Sequence, residues 1–378
     1  MRRPIRLALF AVAALSALGF ASSAFASFSP KLIVSSTPTG AARIGVVVAN
    51  TDDPTFRALM YIPNGYQITT PAAGTNLGDV TATAAAADLG GAILPLTGQL
   101  LAVDPNTLTA SQKAAAAACL QGATQSQTWD LRLTAAGQTL DIPLFVLPVS
   151  APEAASGFQA KLQVCLPPPD VPSSNPNRAT FGAKLLSATF TTSAITKPAA
   201  TGDYRWTSLW TPYTPLVGVP NAAGSVETQS ILHVPTQIKQ TITKKKLTTF
   251  VTKRIKGKKH RVKVIRTQVK FSATVSANGT APASVTISTT AAGKRVGGAS
   301  GSFILAAGKS ATVTTNATLN HAASVPTGQT AAAADLFYAD VGAVACTKSA
   351  IFGGLPCVDT TVGGETLKAS TTVVGFKH

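Results

Sequence analysis

Residues able to do chemistry are sparse in this 378-residue chain, and one kind is concentrated. Thirteen of the 32 lysines and arginines lie between Lys239 and Lys270, while no acid occurs between Glu227 and Asp335. Lys244, Lys245, Lys246, Lys253, Arg254, Lys256, Lys258, Lys259, Arg261, Lys263, Arg266 and Lys270 thus form a strip without local counter-charge. Its potential reaches about a Debye length into solvent. One or two lysines are enough to protect an exposed strand edge, whereas a dozen like charges repel one another unless an anion offsets them. The expected partner is a polyanion: a phosphate- or uronate-rich wall polymer, an anionic lipid surface or extracellular DNA. Sequence-specific nucleic-acid recognition is not expected. Phe250 and Phe271 are the only aromatics of the strip, and no helix-turn-helix, RNP or zinc-finger pattern is present.

A second group, Tyr204, Trp206, Trp210 and Tyr213, is dense in aromatics for a chain with 6% of them. On an exposed strand face these rings could stack on sugars; the competing reading places them in a core edge or an interdomain seam. Asn50, Asp52 and Asp53, with Asp79 and Asp88 further on, offer oxygens for calcium, but the DxDxDG pattern is missing and Asp53-Pro54 reads equally as a turn. Catalytic patterns are thin: HExxH, GxSxG and Walker motifs are absent, and the three glutamates, Glu153, Glu227 and Glu365, are far apart. His233 and His321 remain as bases, since His260 sits in the cationic strip and His378 is terminal. A hydrolase would need dispersed acids or a histidine brought together by the fold. No cofactor or metal is expected. Four cysteines allow three pairings; the division of the chain favours Cys119–Cys165 and Cys346–Cys357.

The cationic residues must be positioned by a hairpin. Lys244–Ile255 runs out, Lys256-Gly257-Lys258-Lys259 turns, and His260–Phe271 returns. Leu247, Val251 and Ile255 share one parity. On the return, Val262 and Val264 share a parity, after which Ile265, Val269 and Phe271 take the other, a slip that predicts a β-bulge near Val264-Ile265.

The rest of the chain also reads as strands. Lys31–Ser36, Ala42–Asn50, Ala58–Thr69 and Gly78–Ala84 are rich in Val, Ile and Thr and are separated by turns such as Pro63-Asn64-Gly65. The persuasive helix is Thr109–Leu120, with high-propensity Ala114–Ala118 and Gly122 beyond its end. The expected fold class is all-β: two antiparallel β-sandwich domains, immunoglobulin-like or jelly-roll-like, with one short helical excursion. The first spans residues 27–214, a linker 215–229, and the second, which carries the basic hairpin, 230–378.

Phe271–Gly279, Ala283–Thr289 and Gly308–Thr315 together resemble the immunoglobulin-like modules of secreted bacterial surface proteins, without the Cys…Trp…Cys spacing of true immunoglobulin domains. The resemblance covers the second half and implies a display or binding module; it transfers no active-site residue.

Residues 1–26 have the form of a secretory signal peptide: three arginines by Arg6, an apolar run over Leu7–Ala21, and Ala24-Phe25-Ala26 before Ser27. The net charge of +17 divides accordingly. Outside leader and strip, sixteen basic residues face 15 acids, which is near neutrality. The reading is an exported, non-enzymatic surface or matrix protein, secreted or at the cell surface, with no transmembrane segment in the mature chain. It engages anionic polymer through its hairpin. Carbohydrate binding through Tyr204–Tyr213 and a secreted hydrolase are the alternatives.

Overall fold

The computed structural model describes residues 28–135, 137–200, 202–234, 237–276, 281–291, 294–305, 309–320, 328–336, 339–340, 346–347, 350–363 and 366–373. The leader expected at 1–26, His321, Glu365 and His378 lie outside them. In chain order the first elements are β1 (Lys31–Ser36), β2 (Ala41–Val47), β3 (Thr55–Pro63), β4 (Gln67–Ile68), β5 (Asn76–Ala86), β6 (Ala92–Val103), α1 (Ala110–Leu120), β7 (Gln127–Ala135) and β8 (Gln138–Pro148). There follow α2 (Ala151–Ala155), β9 (Phe158–Cys165), β10 (Ala183–Thr196), β11 (Gly202–Thr214), β12 (Val219–Pro220) and β13 (Val226–Val234). The remainder comprises β14 (Gln237–Ile255), β15 (Lys258–Ser276), β16 (Ala281–Ala291), β17 (Lys294–Leu305), β18 (Ser310–Asn320), β19 (Gly328–Leu336), β20 (Ala339–Asp340), β21 (Cys357–Gly363) and β22 (Thr366–Val373).

The all-β class holds, but the first region is not two stacked antiparallel sheets. It is one 15-stranded sheet in the order β1-β2-β10-β5-β6-β7-β8-β9-β3-β11-β13-β21-β20, with β4 on β10 and β12 on β11, and it nearly closes into a barrel. The sheet is mixed, because β21 runs parallel to β13. Residues 226–229 of the expected linker lie within β13, and β20 and β21 come from the chain's last fifty residues. Among the described residues two α-helices are present, the expected α1 and the short α2, which Ser150 and Glu153 cap reciprocally.

Alternation decides what the barrel holds. Met60 and Ile62 on β3, Trp206 and Trp210 on β11, Leu144 and Val146 on β8 and Leu32 and Val34 on β1 all turn into one contiguous core. Closure uses hydroxyls. Val34 N–H donates to Ser230 Oγ at 2.8 Å, Thr361 Oγ1 donates to the Leu32 carbonyl at 2.6 Å, and the two hydroxyls lie 2.9 Å apart. Backbones approach so closely here that a Cβ on Gly363 would stand 1.5 Å from the Val34 carbonyl oxygen, so only glycine fits.

On the outer wall, α1 packs Ala116 and Cys119 against Phe145 and Leu147, and the Cys119–Cys165 disulfide ties it to the end of β9. The Cys346–Cys357 disulfide closes a loop whose Phe352 ring sits 5.0 Å from that of Tyr61. Beyond β13, β14-β15-β18 form a three-stranded sheet and β17-β16-β19-β22 a four-stranded one, every pairing antiparallel. Thr315 Oγ1 on β18 donates to the Gly298 carbonyl on β17, joining the two sheets.

Candidate functional site: a cationic β-ribbon

β14 and β15 pair without interruption from Gln237 opposite Ser276 to Ile255 opposite Lys258. The bulge expected near Val264-Ile265 is absent. Lys256 (φ 48°) and Gly257 (φ 77°) make a two-residue turn with both residues left-handed, the type I′ geometry whose twist suits a tight hairpin. The parity slip has another cause. β18 pairs with β15 only from Ser276 to Arg266, so Thr248–Ile255 and Lys258–Ile265 run on as a two-stranded ribbon, eight pairs or about 26 Å long. Within the sheet, Phe271, Ala273 and Val275 are buried. Past its edge the valines and Ile255 take the opposite face, where Val251 stands across from Val262, and Val264, Ile255, Lys253 and Lys258 share their side, while Phe250 stays on the face of Phe271.

The structure places the strip's cations in two settings. Lys253, Arg254, Lys256, Lys258, Lys259, Arg261 and Lys263 all lie on the ribbon and all are exposed. Lys270 is exposed on the sheet at its root. Lys244, Lys245, Lys246 and Arg266 belong to the same two strands, and their side chains lie outside the description. Arg254, Lys259, Arg261 and Lys263 share one ribbon face with Phe250, and the Arg261 guanidinium lies 4.7 Å from the Phe250 ring centre. Arg254 stands directly opposite Lys259, and Lys253 opposite His260. Like charges at such cross-strand positions oppose pairing.

The aromatic group is dispersed. Trp206 and Trp210 are fully buried in the barrel, Trp210 Nε1 donating to Ser208 Oγ and Thr228 Oγ1. Tyr213 is buried on the outer wall edge-on to Phe56, with its hydroxyl donating to the Leu166 carbonyl. Tyr204 is half-buried against Tyr66, and its hydroxyl donates to the Ala200 carbonyl. A sugar-stacking platform would need these rings on one open face, and the core has taken two of them.

The oxygens considered for calcium surround an ammonium instead. Lys184 Nζ donates to the Asn50 carbonyl at 2.8 Å and to that of Asp52, while the Asp52 carboxylate accepts from Ser29 N and Ala49 N. Burial lowers the Lys184 pKa, against the opposing pull of Asp52, Asp53 and Asp170. Burial likewise raises that of Asp53. Asp88 is held by Arg178 through two hydrogen bonds, and Asp79 is exposed on β5. Nothing in sequence singles out Lys184; it lies 131 residues from Asp53.

The fold does bring dispersed acids and bases together, as the hydrolase alternative requires. His233 Nδ1 is 2.8 Å from Asp203 Oδ1 across β11 and β13. Asp130, 2% exposed, shares Arg132 with Asp141; burial, then the neighbouring Asp141, pushes its carboxyl up to about 6. Glu153 goes the other way. Burial works against its ionisation, but hydrogen bonds from Ser150, Lys161 and Tyr61 prevail and hold the carboxylate down to about 2. Glu227 is fully buried beneath Gln229, which donates to it and to the Thr347 carbonyl of the disulfide-closed loop. Each of these groups is occupied on the barrel wall. A cleft of about 170 Å³ at one rim, lined by Thr70, Pro71, Gln127, Thr128, Trp129 and their neighbours, contains neither carboxylate nor histidine. Among the described residues, no group of three or more His, Cys, Asp or Glu is placed to hold a metal.

Comparison with known proteins finds no matching family model and no matching curated sequence.

Proposed function

We propose that the protein is an exported, non-enzymatic surface or matrix protein that engages polyanionic envelope material through the β14–β15 ribbon. One observation carries this reading: seven exposed cations occupy a projecting two-stranded ribbon, two of them directly opposite each other, and none has a carboxylate partner among the described residues. Such an arrangement loses stability through self-repulsion and regains it when an anion arrives. The barrel, with its filled core, and the sheets beyond it serve as the rigid mount. The strand order of those sheets supports an immunoglobulin-like module. Of its seven strands, the first, second and fifth form one sheet and the fourth, third, sixth and seventh the other, a Greek-key arrangement. No helix among the described residues is long and apolar enough to cross a membrane.

The test is binding of the purified protein to isolated cell-envelope material across a salt series, beside a variant with the lysines and arginines of 244–270 changed to glutamine. Affinity should fall log-linearly as salt rises and vanish in the variant. Equal binding by both proteins would end the proposal.

A further inference from the structure

Cations alone do not account for the ribbon. A linear polyanion would be served by a wholly polar hairpin, yet Phe250 is 55% and Ile255 47% exposed on this one, and both lie among its charges. Both faces mix the two kinds of residue. Val251, Ile255, Val262 and Val264 share one face with Lys253, Lys258 and His260, and Phe250 shares the other with Arg254, Lys259, Arg261 and Lys263. Where β15 is held by β18, Phe271, Ala273 and Val275 point into the protein; where that support ends, Val262 and Val264 take the other side while Phe250 keeps the side of Phe271. Val251, Val262 and Val264 keep part of their surface open, and Ile255 stands beside the turn, at the point farthest from the sheet. Exposed apolar side chains set among flexible cations, with Ile255 beside a Lys256-Gly257 tip, suit an element that lies at a membrane interface with its lysines reaching up to the headgroups.

We infer that the ribbon binds the surface of a bilayer containing anionic phospholipid, with Val251, Ile255, Val262 and Val264 at the headgroup–acyl boundary and the cations among the phosphates. The inference rests on the polyanion reading above and names its partner class. Charge complementarity supplies attraction, since each Lys or Arg near an anionic leaflet adds roughly fivefold to partitioning. Apolar contact then supplies a component that salt does not screen. Lysine stems, those of Lys253 and Lys258 beside the valines included, are long enough to reach headgroup phosphates while the backbone lies flat.

The experiment uses the purified protein with three probes: phosphatidylcholine vesicles, vesicles of phosphatidylcholine and phosphatidylglycerol at 3:1, and soluble polyphosphate. Binding to the mixed vesicles alone among the vesicles is expected. A V251T/I255T/V262T/V264T variant should partition about tenfold or more weakly onto them and keep its polyphosphate affinity. A K259Q/R261Q/K263Q variant should lose about a hundredfold on mixed vesicles. Because the threonine variant could disturb the ribbon, Ile255→Trp gives an independent readout. The three native tryptophans are Trp129, Trp206 and Trp210, all buried in the barrel, so an added exposed indole reports separately. Its emission should shift to the blue with mixed vesicles and stay put with polyphosphate. Polyphosphate binding without a vesicle-induced shift, or a threonine variant that binds mixed vesicles as the parent does, would overturn the lipid inference and leave the charge reading standing. Binding to none of the probes or to envelope material would overturn both.

Discussion

The β11–β13 wall and the β14–β15 ribbon are both antiparallel pairs with alternating apolar residues, and they use those residues in opposite ways. In the wall, even-numbered residues of β11 put Trp206 and Trp210 at 0% and 1% exposure, inside a core shared with ten other strands. In the ribbon, the same alternation leaves Phe250 and Ile255 about half exposed. The wall is therefore held by non-local packing, whereas the ribbon is held by its turn, its backbone ladder and a few cross-strand contacts such as Arg261 on Phe250. An isolated two-stranded hairpin is marginally stable. The ribbon is consequently the part of the molecule whose conformation a partner is best able to influence.

The sharpest test of the contrast is Trp210→Ala. It removes the largest kind of buried side chain and leaves Ser208 and Thr228 facing a void, so unfolding free energy should fall by about 3–5 kcal/mol in urea titrations. Below the unfolding transition, polyanion binding should be unchanged. A loss under about 1 kcal/mol would mean the barrel core is not the dominant source of stability.

The outer wall yields a pair of effects with opposite sign. Glu153 has its pKa held down to about 2, below its unfolded value, so its contribution is full above about pH 4.3 and is lost as pH falls toward 2. Glu153→Gln should cost about 1–3 kcal/mol at neutral pH and remove that acid-side loss. Asp130 is raised to about 6, so the folded state binds a proton first and stability rises as pH falls from about 6 to 4. Asp130→Asn should abolish that rise. Urea midpoints at pH 3, 5 and 7 for the parent and both variants separate the two legs; identical profiles for parent and variants would refute both assignments.

Gly257→Ala acts on the ribbon only. Its φ of 77° suits glycine, and an alanine there should weaken the ribbon by about 1 kcal/mol, read as faster amide exchange over residues 248–265. Amides of the barrel should not respond. A response spread over both regions would show the ribbon to be a cooperative part of the whole fold.

Local features were legible in sequence and non-local ones were not. The strands, the Thr109-capped helix and the Lys256-Gly257 turn carry their own signals, and the turn follows from residue types within four positions. The barrel does not, because inward–outward alternation is the same in a sandwich and in a closing sheet. What distinguishes them is Ser230 and Thr361 meeting β1 across roughly 200 and 330 residues of chain, and the parallel entry of β21. The parity slip at Val264-Ile265 predicts a bulge, whereas the strands pair without one and the residues change face: a bulge and the end of a neighbouring strand leave the same trace in one strand's sequence. For Tyr213 and the two tryptophans the size of the rings already favours a core or seam over a sugar platform. Only their parity relative to Ser208 and Thr228, themselves buried, decides which wall they face.

The smallest predicted effect bears most directly on why the ribbon is built as it is. Arg254 and Lys259 face each other across the ladder, so Lys259→Glu replaces a repulsive cross-strand pair with an attractive one. If self-repulsion opposes the free ribbon, the variant should protect its amides by about 0.2–1 kcal/mol more than the parent. The same change removes two units of positive charge from the contact face, and the salt slope of polyanion binding should become shallower by about 2. A gain in ribbon stability accompanied by a loss in binding is the signature of a surface arranged for a partner at the expense of its own stability. A loss of both would indicate that Lys259 supports the ribbon through its stem, and that the opposed charges are tolerated because solvent screens them.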